Sequence, residues 1–299
     1  MKFLITGGTG FIGKKLSRFL LKSGHELTLL SRKQQISGDK NKKYLTNINT
    51  IENTQRFDGI INLAGEDIGK KWTTAYKKKL IDSRVLATAQ LVSLIKRLDH
   101  KPNIMINASA IGYYGVQEHN KILDEKSSPN KNSFAHHLCK TWEDQAKKAE
   151  KYGTRVCIAR LGVVIGKDSK FLKQMLFPFK FGLGAAMGHG KQMLSWIHID
   201  DVLGIFYRFL NDRTQNGTYN LTSPNPVSNY EFSQQLGKIM NNPRIVKIPS
   251  CVIKCIFGEM GETLILQGSF IKPARLISIR HKFRYPNLCN ALKEAVKIQ

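Results

Sequence analysis

Apolar positions along the chain follow two rhythms that take turns. Residues 2–6 (KFLIT) are a short apolar run broken by glycines, the pattern of a buried strand. Residues 11–23 place Phe11, Ile12, Leu16, Phe19 and Leu20 at helical spacing and stop at Gly24. Residues 25–30 predict a second strand. Residues 33–53 are polar and irregular, a long connection with room for a short edge strand near Tyr44. Beyond it the pattern predicts a buried strand over 58–63, a long helix over 73–98 and a strand over 103–108. A helix over 133–152 and a strand over 155–161 follow. This alternation predicts an α/β protein built on a doubly wound parallel sheet.

After residue 166 the texture changes. Residues 182–190 (GLGAAMGHG) predict a loop, 199–210 a helix, 217–221 a strand and 228–240 a helix. The tail from Pro243 carries apolar helical stretches separated by Pro249, Pro273 and Pro286. The expectation is a larger domain from residues 1–166 plus 196–221, with 196–221 returning to the main sheet. A smaller, mostly helical C-terminal lobe on the substrate side takes residues 167–195 plus 222–299. No Gly/Ser/Pro-rich linker divides them, so one unit with a cleft between lobes is expected.

The turn between the first strand and first helix reads T-G-G-T-G-F-I-G. Gly7, Gly10 and Gly13 give a tight turn, a close backbone approach and a close helix–strand contact. The helix N-terminus then offers free N–H groups to a pyrophosphate. Strand before, helix after and a second strand at the right distance make this the Rossmann dinucleotide turn. It assigns Thr6, Gly7, Gly10, Phe11, Ile12 and Gly13 to cofactor binding. A cofactor with a free ribose is usually met by a carboxylate at the end of the second strand, but here that strand runs Leu30-Ser31-Arg32-Lys33. Arginine pairs with phosphate, so Ser31 and Arg32 point to NADP(H), with Lys14, Lys15 and Lys33 flanking the same place.

Composition changes the picture little. Hydrophobic residues at 41% and charged residues at 23% are ordinary for a globular enzyme. No apolar run approaches the roughly 18–20 residues of a membrane span. The apolar start is too short for a signal peptide, so a cytoplasmic protein without a membrane partner is expected. Five cysteines at scattered spacing, with no C-x-x-C, predict no metal site. The formal charge of +25 is unusual. Its lysines are spread along a chain also rich in Asn and Ile, without the basic–aromatic interleaving that stacks bases. Compositional bias is the simpler reading, and no nucleic-acid partner is expected.

The motifs TGGTGFIG, INLAGEDIGKKWT, NASAIGYYG, FAHHLCKTWE, ARLGVVIG, GHGKQMLSWIHIDD, YNLTSPNPVSN and GEM span nearly the whole chain. With them the chain resembles an extended short-chain dehydrogenase/reductase of the NAD-dependent epimerase/dehydratase-like "epimerase family". The resemblance implies a small, sugar-like substrate and a homodimer through the two long helices. It places Asn62, Leu63, Ala64 and Gly65 along the cofactor and Ser109 beside the nicotinamide. It also exposes a departure. The family's Tyr-x-x-x-Lys pair aligns with Ala135 and Cys139, which supply neither a phenol nor a fixed positive charge.

Candidate replacements are Tyr113 and Tyr114, close after Ser109, then His136, His137, His189 and His198. Cys139 is a weaker candidate as a nucleophile. Glu66 and Asp67 face the expected cleft, where a substrate hydroxyl is one partner for them. Of Asp200 and Asp201, at least one is expected to cap the following helix. Trp72, Trp142 and Trp196 are expected to pack lobe junctions. The lost pair leaves two readings open, an NADP(H)-dependent oxidoreductase or epimerase and a non-catalytic NADP(H)-sensing regulatory protein.

Overall fold

A computed structural model describes residues 1–33, 35–117, 121–179, 183–242 and 244–296 of the protein. Seven strands form the main sheet: β1 (Lys2–Thr6), β2 (Glu26–Leu30), β3 (Lys42–Leu45), β4 (Gly59–Asn62), β5 (Ile104–Ala110), β6 (Arg155–Leu161) and β7 (Gly217–Leu221). Their order is β3-β2-β1-β4-β5-β6-β7, and every pairing is parallel.

Strand side chains alternate between two buried faces. Phe3, Ile5, Ile61, Ile104 and Ile106 pack under helices α1 (Phe11–Lys22) and α5 (Ile199–Asn211). Leu4, Ile60, Met105 and Ile158 pack on the other side, under α2 (Thr74–Arg97) and, through Ala146, α3 (Phe134–Lys147). Period-two alternation into two apolar layers is what makes each strand read as a continuous apolar run. The chain leaves β1 toward β2 on one side and reaches β4 on the other. The carboxyl ends of β1 and β4 therefore frame the switch point where doubly wound sheets bind ligands.

Beyond the main sheet lie α4 (Lys170–Phe179), α6 (Asn229–Ile239), α7 (Ser250–Phe257), α8 (Ala274–Ser278) and α9 (Leu288–Val296). Leu172, Phe232 and Leu292 of α4, α6 and α9 share a buried cluster of their own, whereas Leu276 of α8 packs in the main-sheet core. Three departures from the sequence expectations occur here. The predicted loop over 182–190 contains a strand, Gly184–Met187, paired in parallel with Ile245–Ile248; Gly182 and Pro243 lie outside the described residues. The small residues Ala185 and Ala186 of that strand are buried, which a glycine-rich pattern conceals. Residues 196–221 rejoin the main sheet only through β7, because Trp196–His198 pairs instead with Val163–Ile165. Finally, α5 is capped by the His198 ring, which accepts from the Asp200 N–H, while Asp200 and Asp201 occupy its first turn.

The segment around Met260 packs against α2 and α3. Trp72, Leu80, Ala135, Leu138 and Met260 share one buried cluster, and Lys77 pairs with Glu259 at 2.5 Å. Lys170 of α4 pairs with Asp67, in the segment after β4.

Candidate functional site

The turn after β1 is fixed by its glycines. Gly7 has φ +67°, and a β-carbon there would lie 2.4 Å from the Leu63 carbonyl oxygen. A β-carbon on Gly13 would lie 2.2 Å from the Gly7 oxygen, so the helix touches the turn backbone to backbone. Gly10 differs. Its nearest contact would be the Gly7 oxygen at 3.3 Å, so that flank is open to a ligand. Gly10 also caps α1 without a side-chain bond, leaving the first-turn N–H groups of Phe11 and Ile12 for an outside partner.

Beneath the turn lies a buried polar ladder. Thr6 Oγ1 donates to Asn62 Oδ1 at 2.6 Å, and Asn62 Nδ2 donates to Asn107 Oδ1 at 2.6 Å and Thr88 Oγ1 at 2.8 Å. These bonds lock the carboxyl ends of β1, β4 and β5 in one register. Leu63, Ala64 and Gly65 continue from β4 along the turn. The guanidinium of Arg84, on α2, sits 2.8 Å from where a Gly65 β-carbon would stand, and burial lowers its pKa. It also donates to the Glu66 carbonyl at 3.0 Å.

Just past the end of β2, Ser31 Oγ accepts from the Lys33 N–H at 3.3 Å. The Arg32 side chain is 90% exposed and reaches Glu66 Oε1 at 2.7 Å. That hydrogen bond is the main reason the Glu66 carboxyl titrates below its ordinary range. Glu66 and Asp67 are thus engaged by Arg32 and Lys170, one on each side of the segment they share.

The other end of the site is a buried ionic chain. Ser109 Oγ, at the end of β5, donates to Glu143 Oε1 at 2.7 Å. Arg160 of β6 grips the same carboxylate with two bonds of 2.9 Å. Burial pulls the Arg160 pKa down, but Glu143 outweighs it and the net shift is upward. Arg160 also donates to the Tyr114 hydroxyl at 3.1 Å, and that hydroxyl donates to Asn220 Oδ1 at 2.8 Å. Tyr114 is 1% exposed, and burial raises its pKa to about 12. Its phenol is a fixed member of the chain rather than a group facing open space.

Tyr113 is placed differently. It is half-buried, with the Arg160 guanidinium carbon 3.3 Å from its ring centre and the His136 ring 5.1 Å away. His136 itself is buried and bonds the Tyr113 carbonyl through Nδ1 at 2.5 Å, while His137 is exposed. Ala135 and Cys139 lie one turn apart on α3, and both face Gly112. The Cys139 thiol is raised to about 11 by burial and the nearby Glu143, so it stays protonated and unreactive near neutrality.

His189 lies exposed, its Nδ1 accepting from the Lys191 N–H. His198 lies fully buried, donating to Glu294 at 2.9 Å. Asp201 accepts from the Arg284 and Tyr285 N–H groups, tying α5 to the C-terminal segment. Trp72 shares the buried cluster with Met260, Trp142 lies against Arg84, and Trp196 bonds the Asn225 carbonyl. Among the described residues no cluster of three His, Cys, Asp or Glu is placed to hold a metal ion, and no helix is long and apolar enough to cross a membrane.

Sequence reasoning reached Asn62 but missed Arg84, Glu143 and Arg160, and it missed the bonds that join Asn62 to Thr88 and Asn107. Asn62 and Asn107 carried a signal, since each is a polar residue inside a buried apolar strand.

Comparison with known proteins gives a consistent picture. Residues 3–222 match the model of the NAD dependent epimerase/dehydratase family, and residues 248–295 match a domain of unknown function, DUF1731. An epimerase family protein of Staphylococcus saprophyticus is 34% identical over 98% of this chain and 99% of its own. A chloroplastic epimerase family protein of Arabidopsis thaliana is 34% identical over 98% of this chain and 86% of its own. The crystal structure of the human epimerase family protein SDR39U1 with NADPH superposes with a TM-score of 0.91 at 30% identity, covering 100% of both chains. A nucleoside-diphosphate sugar epimerase from Corynebacterium glutamicum superposes at 0.77 with 29% identity, over 99% of this chain and 58% of that one.

Proposed function

The chain belongs to the NAD dependent epimerase/dehydratase family, and on that premise we propose that it binds NADP(H) and acts as an oxidoreductase or epimerase on a small, sugar-like substrate. The observation that carries the cofactor choice is Arg32. It stands two residues past the second strand, where a carboxylate would select a free ribose, and its side chain is almost wholly exposed. The Gly10 flank and the first turn of α1 fit a pyrophosphate, Ser31 and Arg32 a 2′-phosphate, and Leu63, Ala64 and Gly65 the length between. When bound, the cofactor supplies hydride chemistry.

The chain's own residues hold the other end. Glu143, fixed by Arg160, orients Ser109 at the end of β5. Tyr113 is the phenol placed for proton transfer, its ring held against Arg160. It stands in the turn packed over Ala135 and Cys139, the positions that would otherwise carry the tyrosine and lysine. Thermal unfolding with NADPH, NADP⁺ and NADH tests the cofactor. NADPH should raise Tm well above NADH, and Arg32→Ala should weaken NADPH binding about tenfold or more, the worth of a charge-assisted phosphate contact. Equal shifts with NADH and NADPH would overturn the choice.

The absence of a conventional Tyr/Lys pair favours a second reading, a regulatory protein that senses NADP(H) without turning it over. That reading requires NADPH and NADP⁺ to bind with different affinity while absorbance at the nicotinamide band never changes with any substrate.

A further inference from the structure

We infer that the outer flank of α1 carries a second ligand site, which meets the dinucleotide turn at Gly8 and runs from there along α1 to Lys22, shaped for a phosphate-bearing small molecule of nucleotide size. A parallel connection from β2 to β3 usually carries a helix that packs beside α1 on the same face of the sheet. Here residues 31–41 form no helix among the described residues, and the sheet face between α1 and β3 stays open. The opening is a groove with a volume of about 560 Å³, within the ordinary range for small-molecule sites.

Its lining is a matched set. Leu29 and the Tyr44 ring provide apolar surface for a flat body. Lys14, Arg18 and Lys22 line it from α1 at successive four-residue steps, and Lys42 lines it from β3. Like charges at that spacing destabilise a helix. All three cations on α1 are exposed, and none makes a salt bridge to a carboxylate among the described residues. Asp39 is the single acid on the wall, and one of its carboxylate oxygens accepts from the Asn41 N–H. Ser17 lies in the floor of the groove, 6% exposed, and its hydroxyl oxygen is buried there without a hydrogen-bond partner.

Together these call for an anionic head between α1 and Lys42 and a flat portion over Leu29 and Tyr44. An acidic protein helix fits less well. A helix roughly 10 Å across would fill the groove in little more than one turn.

ATP is the probe. It is titrated calorimetrically into protein saturated with NADPH, so that the dinucleotide turn cannot take it. One further binding event per chain is expected. Arg18→Glu combined with Lys22→Glu should abolish it. The milder Arg18→Gln with Lys22→Gln should weaken it about tenfold, which covers the case in which the charge reversal fails to fold. NADPH-induced stabilisation, read on the same variants, should not change. The site falls if NADPH-saturated protein takes no ATP, or if ATP binds equally well to both charge variants. It also falls if an acidic peptide binds at these residues while ATP does not. Should NADPH itself fail to bind, ATP titrated alone still decides the groove. Binding lost in Arg18→Gln with Lys22→Gln but kept in Arg32→Ala belongs there.

Discussion

Arg160 is 4% exposed, and Glu143 is its only carboxylate partner among the described residues. Removing one member of such a pair strands the other charge in the interior. Glu143→Gln should therefore cost about 3–5 kcal/mol of stability. Ser109→Ala, which takes away one bond to the same carboxylate, should cost about 1 kcal/mol. Urea unfolding of the two variants checks the ratio, and equal losses would mean that the pair is not the centre of the chain. His198 makes a second residue-scale case. It is buried against Tyr285, with Glu294, Asp200 and Asp201 nearby, and burial outweighs those acids to lower its pKa from 6.5. His25 and His281 are lowered by burial too. Just below pH 6.5 the unfolded chain then binds more protons than the folded one. The stability from these rings is complete above 6.5 and is lost as the pH falls through and below it. Tm should drop between about pH 7.5 and about pH 5.5, and His198→Asn should drop less over the same range. Neither feature was legible beforehand. Glu143 and Arg160 lie on different elements, and no spacing rule announces that α3 and β6 bring them together. That Ser109 and Tyr113 lie near one another was legible, because one lies at the end of β5 and the other follows three residues after that strand.

At the level of elements, the turn between β1 and α1 separates folding from binding. Gly7 and Gly13 are held by close backbone contact, whereas Gly10 has φ −75°, which alanine adopts freely, and an open flank. Gly10→Ala should leave Tm of the free protein within about 1 °C while removing most of the NADPH-induced rise, because only the approach of the pyrophosphate is blocked. Gly13→Ala should lower Tm of the free protein as well. Comparable loss in both variants would contradict this division. The strands and helices of the main sheet were readable because each buries one apolar face or two, and burial writes a period into the sequence. The same logic explains the failures. The strand Gly184–Met187 is made of small residues with no apolar period, and only its pairing with Ile245–Ile248 reveals it. The polar stretch after β2 did announce a connection with no predicted helix, although the groove this leaves depends on how α1 and β3 sit across it.

For the whole molecule the decisive quantity is charge. With 47 lysines and arginines against 22 acids, each carboxylate that pairs still leaves a large excess of cations. Two of the ion pairs join distant segments: Lys77 to Glu259 and Lys170 to Asp67 tie α2 and the segment after β4 to later stretches of the chain. Those pairs are exposed or half-exposed, so each is worth at most about 1 kcal/mol and weakens with salt. Self-repulsion among the remaining cations weakens with salt as well, and it involves many more charges. The two effects oppose, and the larger number of repulsive pairs should win. Raising salt from about 0.01 M to about 1 M shortens the Debye length from roughly 30 Å to roughly 3 Å. Tm of the free protein should rise across that range, and sodium chloride should act as well as potassium chloride because the effect is screening rather than binding. Glu259→Lys removes one bridge and adds two units to the excess, so it should lower Tm most at the low-salt end and approach the parent protein at the high-salt end. A Tm that falls with salt would mean that the bridges between these segments, and not repulsion across the surface, set the electrostatic balance of the fold.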